Sequence, residues 1–224
     1  MPRLSQGIWI LPSLGRAEGL ACIAEDVRRH DPEARVVIVL SGADATPVIY
    51  PKEWETILID GFPSTTEKIN EAFARFPNEA FYGLLANDLR IESPRALTML
   101  AGHCPSYGLS FCDDQVFGAK ISGYPCVDGD LIRALGWWAY PRLRHHFVDL
   151  VLWGIAKRHG GAKYMSGIKF RHNHYTMGTA EFDSTYAWGK DQERADIAAS
   201  VYWARNDKEP TNERIKELRL AVTT

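Results

Sequence analysis

The first half of the chain alternates short apolar runs with segments whose apolar residues recur every three or four positions. Residues 7–11 (GIWIL), 35–40 (RVVIVL), 56–59 and 81–86 are such runs. Their length and their β-branched and aromatic content predict strands, the longest of them buried on both faces. Between the first two, Leu20, Ile23, Ala24 and Val27 give one apolar face to a helix over residues 18–30. Asp31-Pro32 ends it. Ser64 with Glu67 three residues on predicts a capping box at the start of a helix over residues 64–76. The order β-α-β-β-α-β with short connections predicts an α/β fold, a mostly parallel central sheet flanked by helices.

The second half is less regular. Residues 94–101 read as a short helix, and 107–112 and 115–121 as strands joined around Asp113-Asp114. A helix is expected over 127–135, then an aromatic loop, 136–141, holding Trp137, Trp138 and Tyr140. Val148, Val151, Leu152 and Ile155 mark a helix over 147–159. A last strand, 163–170, runs into Arg171-His172-Asn173-His174. Beyond Asp183 the chain turns polar and helical. No repeat or linker interrupts it, so a single domain is expected, with a core unit over residues 1–180 and a helical extension over 181–224 packed on it.

Composition narrows the picture only a little. The chain has 224 residues, 46% hydrophobic and 24% charged, with a net charge of -2. That suits one globular domain and supplies no global basic field for a polyanion. There is no apolar run of membrane-spanning or signal-peptide length. The four cysteines lack metal-type spacing and read as free thiols, so a cytoplasmic location is expected.

Candidate chemistry gathers at the strand ends. The run Phe81-Tyr82-Gly83-Leu84-Leu85-Ala86-Asn87-Asp88 ends abruptly in a carboxylate. Parallel sheets bind ligands at the carboxyl ends of their strands. Asp88 is therefore placed either to hold a metal or ligand or to cap the next turn. His172 and His174 are two apart, so in an extended segment both face one way. Together with Asp88 they offer oxygen and nitrogen ligands for Mn²⁺ or Mg²⁺.

The order of these marks resembles the GT-A glycosyltransferases, and within them the single-domain, family-2-like enzymes. The resemblance covers roughly residues 7 to 176. It rests on the first strand followed by Pro12-Ser13-Leu14-Gly15-Arg16, on a second strand ending near an acidic residue, on Asn70 and on Leu85-Ala86-Asn87-Asp88. The segment Gly129-Asp130-Leu131 through Gly136-Trp137-Trp138, then His145-His146-Phe147-Val148-Asp149, and finally the His-x-His complete it.

The resemblance implies a single-domain GT-A (nucleotide-diphospho-sugar transferase) fold. It implies transfer of a sugar from a nucleotide diphosphate sugar to an acceptor hydroxyl, inverting and metal-assisted. Pro12, Ser13, Arg16, Asp44, Asn70 and Asn87 would bind the donor, and Asp88, His172 and His174 the metal. Asp149 would be the general base, although an Asp in a first helical turn is also favoured by the helix dipole. Trp137, Trp138 and Asp130 would face the acceptor, with core packing the alternative for either Trp. The acceptor class stays open: a glycan, a protein, a small molecule or a modified nucleobase in DNA.

One departure matters. Ala86 stands where the family's first Asp of Asp-x-Asp would be. A single carboxylate weakens the expected metal site and leaves room for Arg16, Arg90 or His172 to act on the phosphates instead. A nucleotidyltransferase, or a non-catalytic sugar-nucleotide or glycan binder, remains the alternative.

Overall fold

The computed structural model describes residues 6–13, 16–42 and 50–223, the side chains of the last two residues excepted. Eight strands form one curled sheet. They are β1 (Ile8–Pro12), β2 (Val36–Ser41), β3 (Glu55–Ile59), β4 (Phe81–Leu84), β5 (Leu89–Ile91), β6 (Leu109–Asp113), β7 (Cys126–Asp128) and β8 (Ala162–His172). Their order is β3-β2-β1-β4-β7-β6-β8-β5. The β1–β4 half is all parallel, as the sequence pattern requires. The other half is mixed. β7 runs antiparallel to both β4 and β6, β8 is parallel to β6, and β5 is antiparallel to β8.

The sheet is covered on both faces. Along β1, Ile8 and Ile10 point into one apolar cluster and Trp9 and Leu11 into the other, the two-residue period of a strand. The first cluster is closed by α2 (Thr65–Arg75), α4 (Gly129–Leu135) and α5 (Val148–His159), the second by α1 (Ala17–His30) and α3 (Ala96–His103). Gly83 makes room within β4: a Cβ there would lie 2.1 Å from the Trp9 ring. The capping box expected at Ser64 and Glu67 is formed, with both hydrogen bonds in place.

Two expected elements are corrected. Residues 115–121 are not a strand. The Asp114 carboxylate gathers the N–H groups of Val116, Phe117 and Gly118, which tightens the chain into a turn and a short 3₁₀ segment, Gly118–Lys120. The expected helix over 127–135 begins later, because residues 126–128 are β7. Asp128 then caps α4 by accepting from the N–H groups of Asp130 and Leu131.

The C-terminal region is α6 (Ser184–Tyr202) and α7 (Lys208–Thr223), joined by a π-helical segment, Trp203–Asp207. It lies against the body through Trp203, which packs on Trp137 and Tyr140, and through Ile215. Asp196 has no exposed surface and accepts from the backbone N–H groups of Arg144, His145 and His146. None of the helices among the described residues is long and apolar enough to cross a membrane. All four cysteines are free thiols.

Candidate active site

A cavity of about 530 Å³ opens at the carboxyl end of the parallel half. Chain segments far apart in sequence meet there, for three local reasons. First, Gly19 lets α1 press against the β4 exit, since a Cβ at that position would lie 2.1 Å from the Asn87 carbonyl oxygen. Second, β8 bulges. It pairs Cys112 with Met165 and then Asp113 with Lys169, so residues 166–168 are thrown out of register. That bend carries its far end to β5, where His172 lies opposite Leu89 and the Asn173 N–H donates to the Asp88 carbonyl at 2.8 Å. Third, α5 starts from a left-handed Phe147 (φ 66°), two residues before Asp149. Such a conformation costs a non-glycine residue on the order of 1–2 kcal/mol and is held by its surroundings.

Asp88 is the electrostatic centre. Its Oδ2 accepts from Arg16 at 3.1 Å and lies 3.7 Å from His172 Nε2. Its Oδ1 is buried without a protein partner. Burial opposes ionisation, but His172 and Arg16 outweigh it and hold the carboxyl below its ordinary value. Arg16 is clamped from the other side by Asp183, which caps α6 and accepts two hydrogen bonds of 2.8 Å from the guanidinium. The Arg16 guanidinium also stacks on Tyr186 at 4.1 Å.

Asp149 lines the same cavity. Burial, reinforced by the nearby Asp114 carboxylate, pushes its carboxyl up to about 6, with backbone hydrogen bonds and His146 opposing. That is close to ideal for a general base at neutral pH. His145 and His146 both line the cavity as well. Burial, with His146 beside it, lowers His145 to about 4, so it is a neutral imidazole here. Its Nδ1 is 2.9 Å from the Thr65 hydroxyl.

The expected site residues thus divide. Pro12, Arg16, Asn87, Asp88, Asp149, His172 and His174 line one cavity. Ser13 is buried beside it, with its hydroxyl accepting from Asn87 Nδ2. Asp44 lies outside the described residues.

Asn70 is elsewhere. Its carboxamide accepts from the N–H groups of Trp138 and Ala139 and donates to the Ala139 carbonyl, tying α2 to the aromatic loop. Trp138 is wholly buried and cannot stack on an acceptor. Trp137 packs on Tyr140 and Trp203. Asp130 pairs with Arg133 at 2.7 Å on the surface. These residues build the core and its rim, not the cavity wall. Arg90, offered for phosphate contact, is bound bidentately by Asp26.

Asp114, Tyr124, Lys190 and Asp183, none of them among the expected site residues, line or latch the cavity. Only Asp113-Asp114 carried a signal, two carboxylates at a strand end. Lys68, likewise unexpected, is fully buried and donates to the Ser13 carbonyl.

The donor set does not fit a divalent cation well. Among the described residues no group of three or more His, Cys, Asp or Glu is placed to hold one. One Asp88 oxygen already faces a guanidinium, and His174 Nδ1 is engaged at 2.7 Å by the Thr176 hydroxyl.

No family model matches this chain, and no curated protein matches it in sequence. Among solved structures it is similar to TarS of S. aureus, with 11% identity and a TM-score of 0.56, over 74% of this chain and 36% of that one. The chain therefore spans only about a third of TarS. It is also similar to the homologue of Mycobacterium tuberculosis Rv0371c from Mycobacterium sp. strain JC1. There the identity is 14% and the TM-score 0.52, over 85% of this chain and 97% of that one. At such identities the likeness concerns the fold: an α/β domain with a mixed, partly parallel sheet between helical layers.

Proposed function

We propose that the chain is a GT-A-type glycosyltransferase that moves a sugar from a nucleotide diphosphate sugar to an acceptor hydroxyl. The observation that carries this reading is the meeting of Asp88, His172 and Asp149 in one cavity at the carboxyl ends of parallel strands. Three of the residues lining that cavity carry buried atoms without protein partners, Asn87 Oδ1, Asp88 Oδ1 and His172 Nδ1. Buried polar groups are ordinarily satisfied, so unpaired ones grouped at a cleft mark where a polar ligand binds.

The acceptor hydroxyl gives its proton to Asp149 as its oxygen bonds to the anomeric carbon. The bond from that carbon to the phosphate oxygen breaks on the opposite face, its electron pair leaving with the diphosphate. This single displacement inverts the anomeric centre. Charge developing on the diphosphate is met by Arg16 and Lys190, both at the cavity wall. Asp88 and Asp183 aim the Arg16 guanidinium. No step is routed through a metal, because the donor set does not fit one.

Calorimetry with UDP and GDP tests the reading. Binding is expected in EDTA, and Arg16→Ala should weaken it at least about tenfold, the loss of charge-assisted phosphate contacts. Uridine, which lacks the phosphates, should bind both forms alike. Binding of nucleoside triphosphates alone would move the protein to the nucleotidyltransferases. Nucleoside diphosphate binding without any release from a sugar donor would make it a non-catalytic binder.

A further inference from the structure

The cavity holds a further acid, Asp114, that the transfer reaction leaves unused. Asp114 is 2% exposed, and its two oxygens differ. Oδ1 is saturated by the N–H groups of Val116 (3.0 Å), Phe117 (2.8 Å) and Gly118 (3.1 Å). Oδ2 is buried with no protein partner. The loop is built around that arrangement. Gln115, the next residue, takes a left-handed conformation (φ 60°), which turns the chain back over the carboxylate.

Gly123 lies beside the unpaired oxygen. A Cβ there would press to 3.0 Å from Asp114 Oδ2. No backbone conformation demands glycine at that position, since its φ is not in the left-handed range. The space itself is what the missing side chain supplies. Asp114 and Asp149 are near enough to repel electrostatically, and Tyr124 lies within the field of both. All three line the same cavity.

The geometry points to Asp114 as an acceptor-positioning residue. Its Oδ2 receives a hydrogen bond from the hydroxyl adjacent to the one that Asp149 deprotonates, so the acceptor is a neutral vicinal diol such as a sugar ring. The inference rests on the transferase reading. A carboxylate left unpaired costs more than one left in water, so a site of this kind discriminates sharply against an acceptor lacking the matching hydroxyl. Asp114 and Asp149 together disfavour an anionic group beside them.

The test compares methyl hexopyranosides with their monodeoxy analogues as acceptors, using UDP-glucose, UDP-N-acetylglucosamine and GDP-mannose as donors. The full-length protein, Asp114→Asn and Gly123→Ala are assayed for transfer and for donor hydrolysis. Asn at 114 keeps an oxygen for the three N–H groups, so the loop stays anchored, and thermal melts verify it. Removal of the adjacent hydroxyl should lower kcat/KM for the acceptor at least about tenfold in the native protein. Asp114→Asn should erase that discrimination, with donor KM unchanged. Gly123→Ala should raise acceptor KM alone. Equal use of diol and deoxy acceptors, undiminished discrimination in Asp114→Asn, or donor hydrolysis with no transfer to any diol would each overturn the inference while leaving the transferase reading intact. Failure to bind any nucleoside diphosphate would overturn both.

Discussion

Two groups of buried and half-buried aspartates share one chain and differ in how completely they are paired. Asp26, Asp31 and Asp196 are satisfied at both oxygens. Asp26 binds Arg90 and the Ile91 N–H, Asp31 the N–H groups of Leu97 and Thr98 and the Thr98 hydroxyl, and Asp196 three successive N–H groups. Asp88 and Asp114 each keep an oxygen without a protein partner, and Asp149 is pushed up to about 6 by burial. The first group spends its charge on structure. Asp31, for example, caps α3, whose own N-cap residue, Arg95, makes no side-chain cap. In the second group, Asp88 and Asp114 keep hydrogen-bonding capacity that no described residue uses. A buried carboxylate is thus read by its second oxygen, not by its burial.

Substitution breaks the comparison most severely at Asp149. Asp149→Asn should lower transfer by about 10²–10⁴-fold, the usual contribution of a general base. The native rate should rise with pH through about 6 as the carboxylate forms, and that limb should vanish in the variant. Retention of more than a tenth of the native rate would remove Asp149 as the base.

Asp196→Ala should act on folding instead. It strands three backbone N–H groups in the interior, at about 3 kcal/mol or more of unfolding free energy by urea titration. Because those N–H groups precede α5, activity should fall with stability. A loss below about 1 kcal/mol would mean that water replaces the carboxylate.

A smaller effect, opposite in sign, is expected from Asp149→Asn in a thermal melt. The folded-state value of about 6 lies above the roughly 3.9 of an unfolded chain. Proton binding therefore stabilises the fold fully below about pH 3.9, and that contribution is lost as pH rises through 6. At pH 7.5 the charged carboxylate is a burden, so the Asn variant should be more stable by about 1–2 kcal/mol. The gain should shrink toward pH 4, and a pH-independent difference would contradict the linkage. The smallest effect belongs to Asp130→Ala. An exposed pair with Arg133 is worth under about 0.5 kcal/mol, and acceptor KM should not move.

The parallel half was legible because each of its elements carries its own signal. The runs in β1, β2 and β4 are apolar throughout, α1 has one apolar stripe, and Ser64 with Glu67 announces α2. The mixed half was less so. Residues 115–121 have strand-like content, yet the Asp114 side chain competes for the backbone N–H groups and wins. The resemblance places Trp137 and Trp138 at the acceptor with core packing as the alternative, and Asn70, distant in sequence, ties their loop inward.

The sequence by itself determined the parallel strands, the helices that cover them, and the presence of a carboxylate at the end of β4 and two histidines at the end of β8. These follow from local periodicity and turn chemistry, which each segment carries alone. Only the tertiary structure decided which charges meet. The bulge in β8 brings His172 to Asp88, and Asp183 reaches Arg16 from the start of α6. The folding of the 115–118 turn leaves Asp114 Oδ2 without a protein partner, in a residue that lines the same cavity as Asp149. Such meetings depend on chain reversal and on the missing side chains of Gly19 and Gly123. Hydrophobic patterning fixes which face of an element is buried, and says nothing about which distant oxygen or guanidinium will be waiting there.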